Sequence, residues 1–163
     1  MRDVERQKTY DAEQVVRADL RMDGERLKIH GSTVAIPVEK KFGHLEHIET
    51  YCNRVLQLPA VRAEYPNAAA KPIAVRHRKG NAAAHYETAT RTIAVHDPKY
   101  GAPGWAMREI VVLHELAHHL TPMHGHDAAF REAFVFLVSE MIGAEVGWLL
   151  GVRFMDHGLA VVA

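Results

Sequence analysis

The stretch HELAHHLTPMHGHDAAF, His114 to Phe130, holds five histidines in its first thirteen residues, and its reading decides the fold. His114-Glu115-Leu116-Ala117-His118 is an H-E-x-x-H. A helix turns about 100° per residue, so positions four apart sit about 40° from each other on one face. Two imidazoles one turn apart can share a metal ion, and Glu115 lies beside that face, where a carboxylate reaches a water held there. With 12 histidines and 13 glutamates in 163 residues, the bare spacing can arise by chance, so context decides. The motif falls in the apolar helical run EIVVLHELAHHL, and Thr121-Pro122 stops the helix. The competing reading is a buried helix with two histidines hydrogen-bonded in the core.

The third ligand is less direct. His119 is about 140° around the helix from His114 and about 100° from His118, so it cannot join them. It reads as a solvent-facing helix residue, with an outer-shell or cleft role as the alternative. His124 sits where the metzincin pattern H-E-x-x-H-x-x-G-x-x-H places its last histidine. That pattern needs glycine at the sharp turn, and Thr121 stands there instead. His126 stands just before Asp127, a natural N-cap, and four residues before Phe130. Phe130 would then pack between the two helices and hold the His126 ring toward His114 and His118. Glu140 on the following helix is a further alternative. The step to Phe130 favours His126 and leaves His124 open.

Working outward, three short runs precede the metal helix. PIAVRH (72–77), AAAHYE (82–87) and TIAVH (92–96) read as strands, with 79–81 and 88–91 as turns. A helix spans about Trp105 to Leu120, and another after Asp127 carries Phe130, Phe134, Leu137 and Met141. Gly143, Gly147 and Gly151 interrupt the tail. Upstream, residues 2–22 read as an amphipathic helix with Val4, Tyr10, Val15, Val16 and Leu20 inward. TVAIP (33–37) reads as a strand. Residues 42–56 read as a helix with Leu45, Ile48, Val55 and Leu56 inward, and Pro59 and Pro66 break up the segment beyond it. Trp105 and Trp148 read as packing anchors, and Cys52 as a small buried residue.

Composition bounds the function. Hydrophobic residues make up 48% and charged residues 25%, ordinary for a globular protein. No repeat or linker stands out, so one domain over 1–163 is expected. Lys+Arg and Asp+Glu both total 20, which gives no reason to expect a nucleic acid or an anionic membrane as partner. RHRKG (76–80), with Arg91, is the one basic concentration and reads as a solvated turn. One cysteine excludes an internal disulfide and a cysteine-based zinc ribbon. No apolar run approaches the roughly 20 residues a membrane span needs, and the charged MRDVERQKTYDAEQ lacks a signal-peptide core. A cytoplasmic location is expected.

HELAHHL followed by GHDAAF resembles the SprT-like and WLM zincins, where H-E-L-x-H is followed by a histidine with a phenylalanine four residues later. RDVERQKTYDAE, VVLHELAHHL, the His126-to-Phe130 step and the ending GVRFMDHG are similar to an uncharacterised family of actinobacterial and phage metallohydrolases, over most of the chain. The resemblance implies an α+β zincin-like fold: a short, mostly antiparallel sheet packed with helices, and the metal between the H-E-x-x-H helix and the next. It implies His114, His118 and His126 as zinc ligands and Glu115 as the catalytic residue. It would also make TIAVH the edge strand that pairs with an extended substrate. It supplies no particular substrate.

The expected function is a zinc-dependent metallopeptidase acting on a peptide or protein, with a zinc-activated water and Glu115 as general base. The rivals are a zinc hydrolase for a non-peptide bond and a non-catalytic zinc-binding or interaction domain. His119, His124, Tyr100, Arg153 and His157 are candidates for a donor to the oxyanion, and no spacing rule picks among them.

Overall fold

A computed structural model of the chain describes residues 3–80, 84–101 and 104–161, without the side chains of 104 and 105. The side chain of the expected anchor Trp105, part of the 79–81 turn, the start of AAAHYE and the middle of the 101–104 loop lie outside what is described. The fold is α+β, with seven α-helices and two small sheets among the described residues. Contacts separate two compact units, 1–39 with 123–163, and 40–122.

In the first unit, α1 (Arg6–Asp19) buries Thr9, Ala12, Glu13 and Val16, a stripe at three- and four-residue spacing. Val16 and Leu20 are buried as expected, whereas Val4 precedes the helix and is 73% exposed. β1 (Arg26–Ile29) and β2 (Ser32–Ala35) form an antiparallel hairpin. His30 (φ 49°) and Gly31 (φ 83°) make its two-residue loop, the positive-φ pair that suits the twist of a hairpin. β2 covers the first part of TVAIP; β1, RLKI, is a strand that the sequence pattern does not announce.

The same unit holds α6 (Ala128–Met141) and α7 (Ala144–Asp156), with α7 packed on both α6 and α1. The three glycines do not all interrupt this tail. Gly143 separates the helices, but Gly147 and Gly151 lie inside α7. A Cβ on Gly147 would stand 1.8 Å from the Ser139 hydroxyl and 3.1 Å from the Ser139 Cα, so glycine there lets α6 and α7 approach. Trp148 is 43% exposed and is not the expected core anchor. Arg153 Nε donates to Asp19 Oδ2 at 3.0 Å, tying α7 to α1.

In the second unit, α2 (Leu45–Leu56) buries Ile48, Cys52, Val55 and Leu56. Pro59 and Pro66 do not merely break the chain. Each opens a short helix, α3 (Pro59–Glu64) and α4 (Pro66–Ala69), where a missing N–H costs nothing. β3 (Ala74–His77), β4 (His85–Glu87) and β5 (Thr92–Val95) form a sheet in the order β3-β5-β4. β5 is parallel to β3 and antiparallel to β4. Thus TIAVH is the central strand, not the edge. All four β5 residues are buried, and both of its sides are paired. β4 is the edge that lies against α5 (Glu109–Leu120), the helix carrying the H-E-x-x-H. No helix among the described residues is long and apolar enough to cross a membrane.

Candidate metal centre

α5 has almost no solvent face: eleven of its twelve residues are buried, so its polar side chains must find partners inside the protein. His114 is 3% exposed and Glu115 5%, while His118 is half-buried. The one-turn spacing brings the His114 and His118 rings to 5.0 Å between centroids, with their Nε2 atoms 3.2 Å apart. Two ring nitrogens this close either share a proton or turn their lone pairs toward one cation. Glu115 Oε1 lies 3.9 Å from His114 Nε2.

His126 is buried at the N-terminal approach to α6. Its Nδ1 donates to Asp3 Oδ2 at 2.6 Å, and its main-chain N–H reaches the same oxygen at 3.2 Å. A carboxylate only accepts, so Nδ1 carries the proton, and in the neutral ring the lone pair is then on Nε2. Tyr10 and Phe130 flank the ring at 5.1 and 4.9 Å between centroids. Asp127 caps α6 as expected, its side chain accepting from the Phe130 N–H at 3.1 Å.

Arg131, 2% exposed, fixes the loop from behind. Its Nη1 donates to the His126 carbonyl at 2.9 Å and to Glu5 Oε2 at 2.6 Å, and its Nε to the Ala160 carbonyl at 2.9 Å. Burial pushes the Asp3 carboxyl upward, but the hydrogen bond and charge of His126 prevail and hold it below the usual carboxylate value. Burial raises the Glu13 carboxyl to about 8, against the pull of Arg17 and His126.

His114, His118 and His126 form a group that could hold a metal ion. One ligand atom from each lies within 4.8 Å of the others, and this is the one such group among the described residues. The donor chemistry fits: three imidazoles, one with its tautomer set by Asp3 so that Nε2 is the ligand atom. His124 is outside the group. It is exposed, and its Nδ1 pairs with Asp127 Oδ2 at 2.6 Å. Glu140 is exposed and also outside it.

His119 is not solvent-facing. It is 2% exposed. Its Nδ1 accepts from the Tyr86 hydroxyl at 2.8 Å, and its Nε2–H points to the carbonyls of Ala68 and Lys71, both at 3.0 Å. Burial lowers its pKa, so it stays a neutral strut joining α5 to β4 and α4. The remaining donor candidates have local partners. Tyr100 lies against His77 with ring centroids 4.2 Å apart and the planes tilted by 42°, Arg153 pairs with Asp19 and Asp156, and His157 Nδ1 donates to the Arg153 carbonyl at 2.8 Å. Asp3, Glu13, Tyr86 and Arg131 escape the sequence reading. Only Glu13 leaves a local signal, a carboxylate in the buried stripe of α1.

Compared with protein-family models, curated proteins and solved structures, the chain matches none of them.

Proposed function

We propose that the chain is a zincin-like, zinc-dependent hydrolase and that it cleaves peptide bonds. The observation that carries this reading is the approach of His114, His118 and His126 ligand atoms to within 4.8 Å, with Glu115 on the same helix as two of them. Three protein ligands leave the fourth position of a tetrahedral ion open, as catalytic zinc requires. Bound zinc supplies Lewis acidity, polarising a carbonyl and bringing the pKa of a water toward about 7.

The chain's own residues supply the rest. α5 presents His114 and His118 from adjacent turns, and Asp3 fixes the His126 ring. Glu115, 3.9 Å from His114 Nε2, takes the proton of the attacking water and returns it to the leaving nitrogen. β4, an edge strand beside α5, offers main-chain groups along which an extended peptide can add. That edge favours a peptide over a compact small-molecule substrate.

Zinc per chain, measured by elemental analysis on untagged protein, tests the metal. Near one zinc in wild type, lost in His126→Ala and kept in His124→Ala, is the expected result. A wild type that takes up no zinc when it is offered sinks the proposal. Glu115→Gln, retaining zinc, should lose about 10²–10⁴-fold of cleavage in a peptide-library digest, the typical worth of a general base. Unchanged cleavage removes Glu115 from the chemistry. Turnover confined to small esters or amides turns the reading to a non-peptide hydrolase, and zinc without any turnover turns it to a structural site.

A further inference from the structure

We infer that Asp3 is a positioning residue of the metal centre, and that the N-terminal segment 3–6 and the metal bind cooperatively. The inference rests on the metal reading above and concerns how that site is assembled. Asp3 grips His126 at two points, with one carboxylate oxygen taking both the ring Nδ1–H and the main-chain N–H. Two residues on, Glu5 holds Arg131, whose Nη1 holds the carbonyl of the same histidine. The ring N–H, main-chain N–H and carbonyl of one ligand are therefore all held by this segment or by a guanidinium the segment holds.

Gly125 is an independent sign that the arrangement is built in. A Cβ at Gly125 would meet Asp3 Oδ2 at 2.8 Å and Asp3 Cγ at 2.9 Å. The residue just before the ligand must lack a side chain for the carboxylate to reach His126. Gly125 has no positive-φ requirement of its own. Its role is close approach, not backbone conformation.

The physical consequence is tautomer control. With Asp3 in place, Nδ1 keeps the proton and Nε2 keeps its lone pair. Without it the ring can rotate, protonate at Nε2, and present a less basic nitrogen. Loss of such an outer partner typically weakens metal binding about 10–100-fold. Linkage makes the effect reciprocal: whatever the segment adds to metal affinity, the metal adds to the ordering of the segment.

The test uses the full chain, stripped of metal, with zinc affinity read by competition against a chromogenic chelator. Asp3→Asn keeps the volume and removes the charge, and Gly125→Ala displaces the carboxylate by steric contact while leaving Asp3 itself unsubstituted. Both should bind zinc about 10–100-fold more weakly than wild type, and Asp3→Glu should recover part of the loss. Cobalt in the site should show a shifted visible spectrum in Asp3→Asn, which a remote loss of stability does not produce. In wild type, zinc should slow amide hydrogen exchange over residues 3–10. Zinc affinity in Asp3→Asn within about threefold of wild type overturns the inference, as does exchange over 3–10 that ignores zinc. Wild type that binds no zinc overturns the metal reading itself, a separate and recognisable result.

Discussion

Two glycines four residues apart in α7 should respond to alanine in opposite directions. Gly151 faces open space, with nothing within 4 Å of where a Cβ would stand. Gly151→Ala therefore gains only the helix-propensity difference, about 0.5–1 kcal/mol of added stability. Gly147→Ala gains the same amount but must place its methyl 1.8 Å from Ser139 Oγ, 2.9 Å from Ser139 Cβ and 3.1 Å from Ser139 Cα. The hydroxyl can rotate away; the Cβ and Cα can move only if α6 and α7 separate. Overpacking of this kind costs about 1–3 kcal/mol. The propensity gain cancels between the two variants, so Gly147→Ala should be about 1–3 kcal/mol less stable than Gly151→Ala. In a domain this size that is about 2–4 °C in Tm for each kcal/mol. Urea denaturation of the metal-free protein measures both changes. A Ser139→Gly change should recover part of the loss in Gly147→Ala, because it removes the Cβ that is struck. If Gly147→Ala equals or exceeds Gly151→Ala in stability, the close approach of the two helices at Ser139 is wrong.

Tyr86→Phe removes the donor to His119 Nδ1 in a buried site, which should cost about 1–3 kcal/mol in a denaturation experiment; a change under about 0.5 kcal/mol would mean the strut is not formed. Arg131→Met deprives the carbonyls of His126 and Ala160 of their donor; because Glu5 is 37% exposed and can turn to water, the expected loss is about 2–4 kcal/mol rather than the full cost of breaking a buried pair. The hydrogen bond from Arg76 holds the Glu87 carboxyl below its ordinary value, so the charged form favours the folded state. That contribution is complete above the ordinary glutamate range and is lost as pH falls through the lowered value. An NMR titration should place the Glu87 midpoint below that of a free glutamate, and Arg76→Ala should move it back toward that value, with the Thr90 hydrogen bond still in place.

The signals of the site that the sequence carries are local. A one-turn spacing places His114 and His118 together, and the His126–Asp127–Phe130 series carries both a cap and a four-residue packing step. Asp3 and Arg131 cannot be read this way. Asp3 lies 123 positions from the histidine it holds, and no periodicity crosses that gap. His119 is a different kind of miss, because its signal is present. In EIVVLHELAHHL the polar residues are only glutamates and histidines, and such a helix has no face to give to solvent. Of its three histidines, His114 and His119 are buried and His118 is half-buried, so none of them is solvent-facing.

The sheet repeats that lesson. TIAV carries no charged residue, whereas AVRH and HYE each carry at least one. A strand buried along its whole length belongs in the middle, where neighbours cover both of its edges and both of its faces. The partly polar strands are then left for the edges. Of these two, β4 is the one packed on α5, the helix that carries His114 and His118. The strand to which an incoming peptide would pair is therefore the one whose composition already excludes it from the centre, and a peptide reading has to be built on His85–Glu87 rather than on TIAVH.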